Sequence, residues 1–278
     1  MIKKLRIKVL VDNRGAAGLE EEHGLSLWIE ADGKKILFDT GQGNALPVNS
    51  RLLNIPLSRA DFLVLSHGHY DHTGGLAYFF EQNRRGRVCY NPGVVLERFS
   101  IRGNDVREIG VSRKNKLLLV QLENERTILT NEPLELVRDI GVTGPVPRKT
   151  SFEDVGGDFF LDLNKKCSDP IHDDQSLWIK TPAGLVIITG CCHAGLVNTV
   201  NYIMKITGKN KIHAVLGGFH LLRANEERME KTLAEMKKWN LGIIAPGHCS
   251  GDRAKMMMQQ AFRSEYVSYE AGLEMELF

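Results

Sequence analysis

Residues Ser66-His67-Gly68-His69-Tyr70-Asp71-His72 place three imidazoles and a carboxylate side by side, directly after the apolar run Asp61-Phe62-Leu63-Val64-Leu65. Imidazole nitrogen and carboxylate oxygen are the donors that bind zinc-like cations. On an extended chain His67 and His69, two apart, point the same way, while Asp71 and His72 can turn toward a second ion. The plain competitor is a histidine-rich surface loop. Later histidines argue against it, because they repeat the same context. Leu185-Val186-Ile187-Ile188-Thr189-Gly190 runs into Cys191-Cys192-His193, His213-Ala214-Val215-Leu216-Gly217-Gly218 into Phe219-His220, and Leu241 to Gly247 into His248. An apolar run bounded by glycine reads as a buried strand, and open α/β sheets keep their sites just past the C-terminal ends of such strands. One histidine there would be structural more often than not; four strand ends carrying one point to a shared centre.

The elements that must position these groups alternate strand and helix. Residues 1–11 alternate charged and apolar side chains and read as a first strand without the continuous apolar core of a signal peptide. A helix follows the Thr73-Gly74-Gly75 turn over Leu76 to Glu81. Residues 97–126, with Arg98, Arg102, Arg107, Arg113, Lys114, Lys116 and Arg126, read as a solvated excursion with a charged hairpin, or else as a basic cap over an anionic ligand. Asp173–Lys180 and Leu185–Thr189 pair as a hairpin through Thr181-Pro182-Ala183-Gly184. Residues 196–206, 225–239 and 253–263 have helical spacing, the second with Met229, Leu233 and Met236 on one face as core. Residues 264–278 end in a short strand.

The pattern HxHxDH followed by single histidines after later strands resembles the metallo-β-lactamase-fold superfamily, over nearly the whole chain. Ile36-Leu37-Phe38-Asp39-Thr40-Gly41 is similar to its first motif, whose aspartate orients the metal-binding loop from behind the ligands. Gly24-Leu25-Ser26, Gly144-Pro145-Val146-Pro147-Arg148, Asp173-Asp174-Gln175-Ser176-Leu177, Thr189 to Val200, Gly217 to Leu221 and Pro246-Gly247-His248-Cys249 resemble, more narrowly, the branch named for 7,8-dihydropterin-6-methyl-4-(β-D-ribofuranosyl)aminobenzene-5′-phosphate synthase, a methanopterin-pathway enzyme. The resemblance implies an α/β fold, the αβ/βα four-layer sandwich, in one domain spanning 1–278. It implies a dinuclear site with His67, His69 and His193 on one ion and Asp71, His72 and His248 on the other, and Asp39 behind them. Zinc is the expected ion, with iron or manganese as substitutes. A closed structural zinc site is disfavoured, since such sites favour thiolates and the chain has no CxxC. At the fourth motif, where many hydrolases of the superfamily carry a bridging aspartate, this chain offers His220. An imidazole cannot bridge as a carboxylate does. Asp71 is then the only anionic ligand, and an electropositive site favours phosphate or diphosphate.

Two activities follow from the resemblance. In a transferase releasing diphosphate, the metal acts as a Lewis acid on the leaving group, and Arg148 is either a clamp for a phosphate or a structural surface arginine. In a hydrolase of a phosphoester, thioester or lactone, water activated at the metal attacks and His220 handles a proton. Asp71 and His220 are the catalytic candidates in either case. A metal-binding sensor without turnover is a third possibility.

Composition narrows the partners. The chain has 278 residues, 42% hydrophobic, with a net charge of +2 and a pI near 8.2. That balance is too mild to argue for nucleic acid, and no stretch is long enough to span a bilayer. The expected partner is a small anionic, phosphorylated substrate. The five cysteines have no disulfide-framework spacing, which suits a reducing cytoplasm. Cys192 and Cys249, each adjacent to a candidate ligand, are expected to pack as small buried side chains facing away from it.

Overall fold

In the computed structural model, which describes residues 1–277, two β-sheets carry the expected strand ends, each within its own compact unit. One unit comprises residues 4–130, residues 157–173 and the described residues from Glu270 onward; the other comprises residues 1–3, 131–156 and 174–269.

The first unit holds a seven-stranded sheet in the order Glu274–Glu276, Leu5–Val11, Ser26–Ala31, Lys34–Phe38, Phe62–Val64, Arg87–Tyr90 and Thr127–Leu129. Its early strands run antiparallel, and Lys34–Phe38, Phe62–Val64, Arg87–Tyr90 and Thr127–Leu129 run parallel. Parallel strands are covered on both faces and read as continuous apolar runs, as Phe62-Leu63-Val64-Leu65 does. Leu63, Leu65, Leu76, Phe79 and Val88 share one core cluster. The parallel register Phe38↔Val64 brings Asp39, one residue on, and Ser66, two residues on, to the same end of the sheet. That register positions the metal motif.

The second unit holds a six-stranded sheet in the order Ile243–Gly247, Ile212–Gly218, Gly184–Thr189, Leu177–Thr181, Ile140–Val142 and Leu134–Val137. The first three are parallel, in the registers Thr189↔Gly217 and Gly218↔Gly247. Three parallel strands ending in step deliver His193, His220 and His248 to one edge. The hairpin of Leu177–Thr181 and Gly184–Thr189 forms as expected, but its first strand begins at Leu177 rather than Asp173. Asp173-Asp174-Gln175-Ser176 is instead buried and spends its polar groups off the sheet, Asp174 Oδ2 accepting from Ala194 N at 2.7 Å.

The helices match within a residue or two: Leu76–Gln82, Leu196–Thr207, Glu226–Lys238 and Asp252–Ala261. Asn225 caps the third, its side chain accepting from Arg228 N at 2.8 Å, a contribution of about 1 kcal/mol. Met229 and Met236 are buried in this unit's core, while Leu233 packs against it half-buried. No helix among the described residues is long and apolar enough to cross a membrane. The expected final strand is Glu274–Glu276; Phe278 lies outside the described residues.

Residues 97–126 depart from the solvated excursion expected of them. The charged hairpin is present as Phe99–Arg102 and Asp105–Glu108, but Phe159–Phe160 pairs with it, and Arg113–Val120 forms a helix capped by the Ser112 side chain. Arg98 is only 1% exposed. Its Nη2 lies 2.5 Å from Asp173 Oδ1 and its Nε 3.2 Å from Asp169 Oδ2. A charge pattern read along the chain cannot reveal partners some 70 residues away.

Candidate metal centre

Within the first unit, Asp39 is the hub. It is fully buried, and its backbone sits in the left-handed region at φ +57°, a strained conformation for a residue with a Cβ. Its Oδ1 accepts from Ser66 N at 2.7 Å, and its Oδ2 from Ser66 Oγ at 2.6 Å and His72 Nδ1 at 2.7 Å. A carboxylate only accepts here, so these contacts assign protons. In the neutral ring, His72 carries its proton on Nδ1, which leaves the Nε2 lone pair for a ligand. Ser66 spends its single hydroxyl proton on Asp39 and can only accept from His67 Nδ1, 2.9 Å away. His67 therefore also presents a lone pair at Nε2. That atom lies 2.9 Å from His69 Nδ1, close to the roughly 3.3 Å that separates two donors on a tetrahedral ion with bonds of about 2.0 Å. Asp71, buried, lies with Oδ2 3.8 Å from His72 Nε2. One aspartate thus holds two histidines of the loop, His72 directly and His67 through Ser66.

The tight turn between His67 and His69 has its own anchors. Gly68 N donates to Asp173 Oδ2 at 2.8 Å, on the carboxylate that Arg98 pairs with. A Cβ on Gly68 would stand 2.1 Å from the Val94 carbonyl oxygen. Gly68→Ala is accordingly expected to cost about 1–3 kcal/mol, since backbone must move to admit the methyl. Urea denaturation checks this, and an unshifted midpoint would contradict the close approach. Burial is the largest influence on Asp169 and raises its pKa against the opposing pull of Arg98.

The second unit presents His193, His220 and His248, together with Arg148. His193 is fully buried, and its Nδ1 lies 2.9 Å from the Val155 carbonyl oxygen. A carbonyl can only accept, so here too Nδ1 carries a proton, and the neutral ring has its lone pair on Nε2. Arg148 Nη1 donates to the His193 carbonyl at 2.6 Å, so the expected phosphate clamp also holds the backbone of a candidate ligand. The His220 ring stands 4.1 Å from the His193 ring, centroid to centroid, and a Cβ on Gly156 would lie 1.9 Å from His220 Cδ2. Only glycine leaves room for that imidazole. Cys192, His220 and His248 have φ of +64°, +46° and +45°, so strained backbone recurs around these strand ends.

The structure also brings in residues that the motifs did not indicate. The ligand atoms of Cys191, His193 and His220 all lie within 4.8 Å of one another, as do those of Cys191, His248 and Cys249. In the first unit His23 Nε2 lies 3.1 Å from Asp71 Oδ2, and His23 Nδ1 3.2 Å from Asn13 Nδ2. Cys191 was legible in principle, because it sits two positions from His193, the spacing that pairs His67 with His69. His23 was not, since its loop gives no strand context. Cys192 is fully buried in the apolar core, with Sγ 3.3 Å from Thr199 Oγ1, and burial, with Asp174 next in influence, pushes its thiol well above the usual range.

The donor chemistry suits a divalent cation, and comparison with known proteins agrees. The sequence pattern of the Metallo-beta-lactamase superfamily matches residues 19–191. The chain is 34% identical over 263 residues, 90% of its length and 88% of the relative's, to the 7,8-dihydropterin-6-methyl-4-(beta-D-ribofuranosyl)-aminobenzene-5'-phosphate synthase of Methanocaldococcus jannaschii. It is 36% identical over 256 residues, 91% and 94% of the two lengths, to an uncharacterized protein of the same archaeon. Among solved structures, Tm1679, described as a metal-dependent hydrolase of the beta-lactamase superfamily, is similar at 30% identity with a TM-score of 0.82, covering 98% of this chain and 99% of that one. The α/β fold is that of the superfamily. On this sequence and structural similarity, the protein belongs to the metallo-beta-lactamase superfamily, in the branch of the dihydropterin–ribofuranosylaminobenzene-phosphate synthase.

Proposed function

We propose that this protein is a metal-dependent transferase that joins a dihydropterin-methyl diphosphate to a ribofuranosyl-aminobenzene phosphate and releases diphosphate, with residues 1–278 acting as one domain. His67, His69 and His193 would hold one divalent ion, and Asp71, His72 and His248 a second. The observation that carries the metal part of this reading is proton placement: contacts to Asp39, Ser66 and the Val155 carbonyl leave His67, His72 and His193 each with an Nε2 lone pair. Structural histidines have no reason to be held so uniformly in the ligating tautomer. The substrate part rests on the 34% identity to the synthase. A bound divalent ion supplies Lewis acidity toward an oxygen of the departing diphosphate. The chain's own part is to orient that ion's ligands, to offer Arg148 for a phosphate, and to place His220 where a proton can be given to a substrate oxygen.

The hydrolase reading keeps one specific support, the 30% identity to Tm1679, described as a hydrolase. Incubation of the metal-loaded protein with both pterin and arene substrates separates the two. Condensation product with stoichiometric diphosphate supports the transferase; arene-independent cleavage supports the hydrolase. A protein that binds the substrates yet forms neither product would be a sensor.

His220→Ala is expected to lower turnover by roughly two to four orders of magnitude while the far-ultraviolet dichroism stays native. A variant that only loses thermal stability would make His220 a packing residue.

A further inference from the structure

We propose that Cys191 supplies a thiolate ligand to the metal centre of this chain. The proposal rests on the metal-binding reading above and adds a donor that lies outside both the HxHxDH motif and the later strand-end histidines.

Cys191 is 3% exposed and lies just beyond Gly184–Thr189. It belongs to both ligand groups of its unit, with His193 and His220 on one side and with His248 and Cys249 on the other, each group within 4.8 Å. Its sulfur is therefore within 4.8 Å of a ring nitrogen of both the third and the last expected histidines. Of the other two nearby thiols, Cys192 is directed elsewhere, whereas Cys249 belongs to the second group but spends its proton on a backbone carbonyl. Cys192 Sγ donates to Thr199 Oγ1 at 3.3 Å and packs in the apolar core. Cys249 Sγ donates to the Cys191 carbonyl at 3.5 Å.

Charge gives the reason for a sulfur here. By the resemblance, His220 stands at the motif where many hydrolases of the superfamily carry a bridging aspartate, and a neutral imidazole has one ring lone pair and no charge. With Asp71 alone, two divalent ions would retain most of their charge in a buried site, which is costly. A thiolate adds one negative charge and several lone pairs, and soft sulfur suits zinc, iron and cobalt. On binding, the Cys191 S–H bond breaks, its proton leaves to solvent and a sulfur–metal bond forms, with no change of oxidation state.

Titration of the reduced, metal-free full-length protein with Co(II) under nitrogen tests this. Wild type should develop an intense near-ultraviolet sulfur-to-cobalt charge-transfer band alongside the visible ligand-field bands. Cys191→Ser should keep ligand-field bands and lose the charge-transfer band; Cys192→Ser and Cys249→Ser should keep both, with native circular dichroism in all three. Ligand-field bands without charge transfer in wild type would overturn the proposal and leave the histidine site standing. Loss of the band in Cys249→Ser with retention in Cys191→Ser would overturn it in favour of Cys249. If wild type binds no cobalt at all, the metal-binding reading itself fails, and this proposal with it.

Discussion

Replacing Arg98 by alanine should destabilise the protein by about 3–5 kcal/mol, the range for removing one partner of a buried ion pair. The size follows from what is left behind. Asp173 and Asp169 are 1% and 3% exposed, and Arg98 is the cation paired with both. Without it, two carboxylates remain in a site that charges cannot enter cheaply. Arg107, paired with Asp105 on the exposed hairpin, provides the contrast, since an exposed pair contributes little. Equilibrium denaturation of Arg98→Ala beside Arg107→Ala measures the difference. A loss below about 1 kcal/mol for Arg98→Ala, no more than an exposed pair, would show that the buried cluster does not hold this unit together. The same variant should also weaken metal binding, because Asp173 holds Gly68 N between His67 and His69.

The second large effect is chemical. The double variant His67→Ala/His69→Ala should lose its more tightly bound transition metal and lower turnover by roughly three orders of magnitude or more, as expected when several kcal/mol of Lewis-acid stabilisation are removed. Elemental analysis after reconstitution, with circular dichroism to confirm folding, reads the first part directly; unchanged metal content would refute the ligand assignment. In wild type the trihistidine set of His67, His69 and His193 should fill first and the set containing Asp71 second, in two calorimetric steps, because three imidazoles suit zinc and the charge of the first ion opposes entry of the second. Equal, simultaneous filling would mean that another anionic donor supports both ions. Cys191→Ser would then identify whether that donor is the thiolate.

How much of this was legible before folding is clearest residue by residue. His67, His69, Asp71 and His72 announce themselves because a strand end compresses them into one short segment, where period-two alternation and a glycine turn are local facts. His193, His220 and His248 are legible through a repeated context, an apolar run ending in glycine, which three parallel strands then bring into step. Helices with strong amphipathic spacing, such as Glu226–Lys238, fall where the spacing places them. Family motifs marked Asp39, but its proton assignments depend on the register of Lys34–Phe38 beside Phe62–Val64.

Tertiary structure alone decided the rest. Arg98 looks like any surface arginine until Asp169 and Asp173 close on it, and Asp173 looks like a strand residue until Gly68 claims its carboxylate. Cys191 and Cys192 are chemically alike, and only packing sends one toward histidine nitrogens and the other into the core. His23 meets Asp71 across 48 residues of sequence, through loops without periodicity. The division has a physical cause. Alternation and apolar runs are properties of neighbouring residues and are written in the chain. Charge pairing and proton placement belong to atoms brought together from distant segments, so their partners are fixed only once the sheets have set the register.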